Sequence, residues 1–146
     1  MQCTQRAARR SGFLTIRPVR AAESVSLLAV RNAVAPDRSE TEDELRHLDA
    51  MLRARGLDPV WLVARIDEHF VGYADVVGTA EAQGVDVGVV PEARRQGIGT
   101  ALLERAAAVL RERGARVART LWVEDTNDAA LTFLRRSGFL ERERAW

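Results

Sequence analysis

Residues 85–113, VDVGVVPEARRQGIGTALLERAAAVLRER, leave this chain few folds to choose from. Val85, Val87, Val89 and Val90 form a β-branched run that reads as a largely buried strand. Pro91 has no N–H to give a ladder and ends it. Arg94-Arg95-Gln96-Gly97-Ile98-Gly99 follows, and Ala101, Leu102, Leu103, Ala106, Val109 and Leu110 then recur at helical spacing. A strand, a glycine-bearing loop and a helix in that order present unpaired N–H groups and the positive end of a helix dipole at the loop, which suits a phosphate. Gly97 and Gly99 let a ligand approach the backbone, and the arginines add charge-assisted bonds.

Two common phosphate loops do not fit. The dinucleotide fingerprint needs a third glycine where Leu102 stands, and the P-loop needs a Gly-Lys-Ser/Thr ending that is absent. What matches is Arg94-x-x-Gly97-x-Gly99 behind Val89-x-Pro91. This resembles the acetyl-CoA-binding motif of the GNAT superfamily, the Gcn5-related N-acetyltransferases. The plain alternative is a strand–turn–helix with surface arginines. A second signature lies downstream: Asn127-x-x-Ala130-x-x-Phe133, then Arg136, Ser137, Gly138 and Phe139. It resembles the C-terminal motif of the same superfamily.

The rest of the chain agrees with a single α/β domain. Its 146 residues suffice for one buried core, and 47% apolar with 29% charged residues is ordinary for a globular chain. A net charge of +1 gives no basic field for nucleic acid or a membrane surface. One cysteine, Cys3, excludes an internal disulfide. No run nears the ~18 apolar residues of a membrane span. Residues 1–12 carry Arg6, Arg9 and Arg10 without an apolar segment and read as a flexible tail, with the domain over 13–146. These features together imply a cytoplasmic protein.

In order, Phe13–Arg17 alternates and stops at Pro18, an edge strand. Glu23–Val34 is an amphipathic helix. Thr41 and Glu44 have capping-box spacing for a second helix with Leu45, Leu48, Met51 and Leu52 on one face, ending at Gly56. Its acidic first turn complements the helix dipole. Val60–Ile66, the turn Asp67-Glu68-His69 and Phe70–Val77 make a hairpin. After the central helix, Gly114 is a C′ cap, Arg116–Val123 a strand, Asp128–Arg136 a short helix, and Phe139–Glu143 the start of a shortened last strand. The element order β-α-α-β-β-β-α-β-α-β is that of the GNAT fold, a mixed, mostly antiparallel sheet flanked by helices, and the resemblance covers nearly all of the chain beyond residue 13.

The resemblance implies an acetyl-CoA-dependent N-acetyltransferase acting on an amine of a small molecule or protein, with acetyl-CoA as co-substrate and no metal. The backbone from Gln96 through Gly97, Ile98 and Gly99 to Thr100, with Arg94 and Arg95, would take the pyrophosphate. Val87 and Val89 would pair with the pantetheine arm beside the strand at 116–123, and an N–H near Val89 would polarise the thioester carbonyl. Asn127 would cap its helix, bond the coenzyme, or both, with Ala130 and Phe133 beside it. The acceptor would enter from the side of residues 35–56.

Proton transfer departs from the superfamily pattern. The position of the usual tyrosine acid holds Leu134, and the position of a common glutamate base holds Gln83. The remaining candidates are Glu81, Asp86 and Tyr73. Each has a bland alternative: exposed strand-end acids for the first two, a packing residue for the third. Glu81 shares a face with Gln83 in a regular strand, whereas Asp86 lies on the other. Two readings from other classes stay open: an acyl-CoA-binding module without efficient turnover, and a nucleotide-phosphate binding domain. The short stretch after Phe139 also fits the first half of a tandem protein, or an exposed sheet edge that pairs into a homodimer.

Overall fold

A computed structural model of the chain describes residues 12–78, 83–120 and 128–140. Among the described residues, five strands form one sheet in the order β1-β2-β3-β4-β5: β1 Leu14–Pro18, β2 Val60–Ile66, β3 His69–Gly78, β4 Gln83–Val89 and β5 Ala118–Arg119. The first four pair antiparallel, and β4 pairs with β5 in parallel. Helices α1 Ser24–Val34, α2 Glu42–Ala54, α3 Ile98–Glu112 and α4 Asp128–Arg136 pack around it.

Each strand follows from its residues. Val60–Ile66 has the predicted bounds and is almost wholly buried, because it lies inside the sheet between β1 and β3. Pro18 is part of β1 rather than its stop, paired with Leu62. An edge strand tolerates proline, since one side of its backbone has no neighbour to serve. The hairpin turn is tighter than expected. Ile66 already pairs with His69, so Asp67 and Glu68 alone make the turn, and Asp67 takes a left-handed φ of 54°.

Two faces of the sheet are distinguished by alternation along the strands. On one, Gly72, Ala74 and Val76 of β3 pair with Val89, Val87 and Val85 of β4. This face carries α3, whose Leu102 and Ala106 are fully buried. On the other, Tyr73 and Asp75 pair with Gly88 and Asp86, and α1 lies against it through Arg31. The helix α2 begins with the anticipated reciprocal cap. Thr41 Oγ1 accepts from the Glu44 N–H and the Glu44 carboxylate accepts from the Thr41 N–H.

Two expectations need correction. The strand expected over 116–123 starts later, at Ala118, and among the described residues is Ala118–Arg119, with 121–123 outside them. The chain leaves α3 through Gly114 at φ 72°, and residues 115–117 are used in returning to the sheet edge. Phe139 and Leu140 are not in a strand, and the rest of the expected last strand, 141–143, lies outside the described residues. Phe139 follows the left-handed Gly138 cap, donates its N–H to the Leu134 carbonyl and packs on the core.

Candidate active site

The turn from β4 into α3 is built as the sequence implies. Val90 donates to the Val71 carbonyl at 2.9 Å, the last tie to β3, and Pro91–Ala93 then make one turn of 3-10 helix. Arg95 and Gly97 both take left-handed φ, 63° and 78°. A Cβ at Gly97 would meet nothing within 4 Å, so glycine is favoured there by its backbone angle rather than by crowding. Ile98, 3% exposed, anchors the start of α3 in the core. The first intrahelical bond runs from Ala101 to the Gly97 carbonyl, and among the described residues no side chain caps this end. The N–H groups of Ile98, Gly99 and Thr100 therefore have no helical acceptor. Arg94, Arg95, Gln96 and Thr100 are exposed around them. This donor set fits the phosphates of a coenzyme.

Beside this turn, among the described residues, the pairing of β4 with β5 is short. The ladder between β4 and β5 comprises Gln83–Ala118 and Gly84–Arg119, and Thr120 is already outside it. Beyond that point a cleft runs between β4, α3 and α4. Its lining includes Asp86, Val87, Leu103, Ala130, Phe133 and Leu134. Because the N–H of Val90 points to β3, alternation turns Val87 and Val89 toward this cleft. Two of their groups have side-chain partners: the Val89 carbonyl accepts from Arg94 Nε at 3.0 Å, and the Val87 N–H bonds the Asp86 carboxylate. Arg94 is thus partly a strap across the strand end. Gly99 packs closely between α3, β4 and α4, since a Cβ there would sit 3.6 Å from the Phe133 ring and 3.7 Å from Val89.

On the opposite face of the sheet lies a buried polar cluster not anticipated from the sequence. Arg31 of α1 donates to Asp75 Oδ2 at 2.6 Å and to Glu40 Oε2 at 2.8 Å. Its guanidinium lies 4.8 Å from the Tyr73 ring centre and 5.6 Å from that of Trp61, a cation–π arrangement. Trp61 Nε1 in turn donates to Asp49 of α2 at 2.6 Å. The available signal was Asp75 itself, a charge in the apolar run Phe70–Val77. Burial pushes the Asp75 carboxyl up to about 6, and Arg31 opposes the rise without cancelling it. Its Oδ1 is buried and, among the described residues, has no hydrogen-bond partner.

The candidate proton carriers separate clearly. Asp86 stands directly opposite Asp75 in the ladder and remains exposed on its open side. Crowding by protein on the other side raises its carboxyl above the ordinary value, against the pull of Arg31, the Val87 N–H and Arg38. Tyr73 is 6% exposed, more deeply buried than a half-exposed packing residue. Its phenol is raised by burial and then by Asp86 and Asp75, so it holds its proton. It lies over Gly88, where a Cβ would run into its ring. Gln83, 1% exposed, faces away from Asp86, on the α3 side. Asn127 and Glu81 lie outside the described residues. No group of three or more His, Cys, Asp or Glu able to hold a metal occurs among the described residues, and no described helix is long and apolar enough to cross a membrane.

Comparison with known proteins agrees with this geometry. A family model for the acetyltransferase (GNAT) family matches residues 25–139. The chain is similar to the mycothiol acetyltransferase of Parafrankia sp. (strain EAN1pec), 37% identical over 83 residues, 57% of this chain and 24% of that protein. It spans about a quarter of the length of the curated relatives it matches. Among solved structures it resembles PaiA N-acetyltransferase from Thermoplasma acidophilum in complex with coenzyme A, at a TM-score of 0.76 and 17% identity, covering 91% of this chain and 93% of that one. It also resembles ribosomal-protein-alanine N-acetyltransferase from Brucella melitensis, at a TM-score of 0.72 and 26% identity, covering 88% and 86%. With most of its length matched by the family and the fold shared throughout, the chain belongs to the GNAT acetyltransferase family.

Proposed function

We propose that this chain is an acetyl-CoA-dependent N-acetyltransferase acting on a primary amine of a small molecule or protein, with Asp86 as its general base. The observation that carries the reading is the uncapped start of α3 opening beside a cleft whose rim holds Asp86. Acetyl-CoA, once bound, supplies the acetyl group as an activated thioester. The N–H groups of Ile98, Gly99 and Thr100, with Arg95 and the part of Arg94 not engaged by Val89, hold the phosphates. The Val89 N–H, directed to the cleft, offers a hydrogen bond to developing carbonyl charge. Asp86 takes a proton from the acceptor ammonium, breaking one N–H bond and leaving a neutral amine to attack. The nitrogen bonds the acetyl carbon as the C–S bond breaks, and the second proton the nitrogen sheds neutralises the departing thiolate; Tyr73, which keeps its own proton, offers an O–H hydrogen bond on the same sheet face.

The test is release of free coenzyme A thiol from acetyl-CoA over a panel of small amines and peptide N-termini. Turnover with at least one acceptor, falling about 10²–10⁴-fold in Asp86→Asn, is the expected result. Acetyl-CoA binding without thiol release across the panel would favour the second reading, an acyl-CoA-binding module. That reading is supported by Leu134 and Gln83, neither of which transfers a proton.

A further inference from the structure

We propose that Asp75 is a positioning residue for acetyl transfer: anchored by Arg31 and standing opposite Asp86 on the same sheet face, it sets how readily Asp86 takes the acceptor's proton. The inference rests on the reading of Asp86 as the base.

The geometry supporting it is specific. The register pairs Asp75 with Asp86 directly, which places their Cβ atoms within about 5.5 Å. One Asp75 oxygen is fixed by the 2.6 Å bond to Arg31, and Arg31 is itself fixed by Glu40 and by the Tyr73 and Trp61 rings. The other oxygen is buried and, among the described residues, without a partner. A carboxylate that merely neutralised Arg31 would be expected to use both oxygens on the guanidinium fork, as Glu23 does with Arg17 at 2.7 Å for each pair. Asp75 instead carries a negative charge close to Asp86 and shielded from water, so the charge is weakly screened.

The charged and titratable groups around Asp86 come from each packed element. Asp75 and Tyr73 lie on β3, Arg31 on α1, and Arg38 and Glu40 on the segment between α1 and α2. The cations favour the Asp86 carboxylate, and the two facing carboxylates, Asp75 and Asp86, each disfavour the other's charge. Removing the Asp75 charge leaves Arg31 less neutralised, so both consequences make Asp86 a weaker base. Asp75 touches no reacting atom in this scheme. The proton passes from the acceptor ammonium to Asp86, and from Asp86 to solvent at its open side.

The test is carbon-13 NMR titration of the Asp86 carboxyl in the wild-type chain and in Asp75→Asn, beside the pH profile of kcat/KM. The expected result is an Asp86 resonance that moves in two steps in the wild type, one of them at the Asp75 midpoint, and in a single step in the variant, with the acidic limb of kcat/KM losing the same step. A single-step Asp86 titration in the wild type, the same in folded Asp75→Asn, would overturn the proposal. Should that variant not fold, the wild-type titration decides. A second inflection in the Asp86 resonance, at the Asp75 midpoint, supports the coupling, and a single inflection overturns it. Failure of the underlying reading looks different: Asp86→Asn would keep wild-type turnover while the NMR coupling persisted.

Discussion

Two carboxylates, Glu23 and Asp75, each meet an arginine and respond in opposite directions. Glu23 receives both Arg17 nitrogens and the Arg20 N–H near the surface, which hold it down at about 2 from an ordinary 4.5. Asp75 meets Arg31 inside the sheet–helix layer, where loss of water outweighs the partner and raises it from 3.8 to about 6. The signs of their stability contributions follow. Glu23 stabilises the fold above pH 4.5, and the contribution is lost as pH falls toward about 2. Asp75 favours the folded state below pH 3.8, and that contribution is lost as pH rises through about 6. Urea denaturation across pH 2.5–7 checks both. Glu23→Gln is expected to remove the loss of stability below pH 4.5, a small effect for a pair so near solvent. Asp75→Asn is expected to flatten the opposite trend between pH 3.8 and 6. Unchanged profiles would contradict the assignment of these pairs.

At the scale of elements, α3 links binding to folding. Its N-terminus faces the cleft, while Leu102 and Ala106 are fully buried against β3 and β4. Leu102→Ala is expected to cost about 2–5 kcal/mol, read as a lower denaturation midpoint. Gly97→Asp is expected to leave that midpoint within about 1 kcal/mol, because aspartate visits the left-handed region and the site is open. This contrast separates what α3 does for the core from what its first turn does for a ligand. Most of this was legible in the sequence, since Pro91, the glycines and the helical run at 101–110 act locally. The hairpin and the α2 cap were legible for the same reason. The start of β5 was not, because it depends on how residues 115–117 span from α3 to the sheet. The Arg31–Asp75–Tyr73–Trp61 cluster was also hidden. It joins residues of α1, β2 and β3, and no local pattern records which helix crosses which strand.

For the whole molecule, the sheet divides the work between its faces and its open edge. The edge and the α3 start offer donors to phosphates, and the α1 face offers carboxylates and a phenol near Asp86. The alternation of β4 couples them, as Asp86 takes the Val87 N–H at the cleft while standing opposite Asp75 in the ladder. The central claim, that this arrangement binds acetyl-CoA, is tested most directly by calorimetric titration of the folded chain, wild type and Gly97→Asp, with acetyl-CoA. Stoichiometric binding by the wild type, weakened at least about tenfold by a carboxylate set among the phosphate donors, is the expected result. Equal affinity in the two proteins, or none in the wild type, would contradict it.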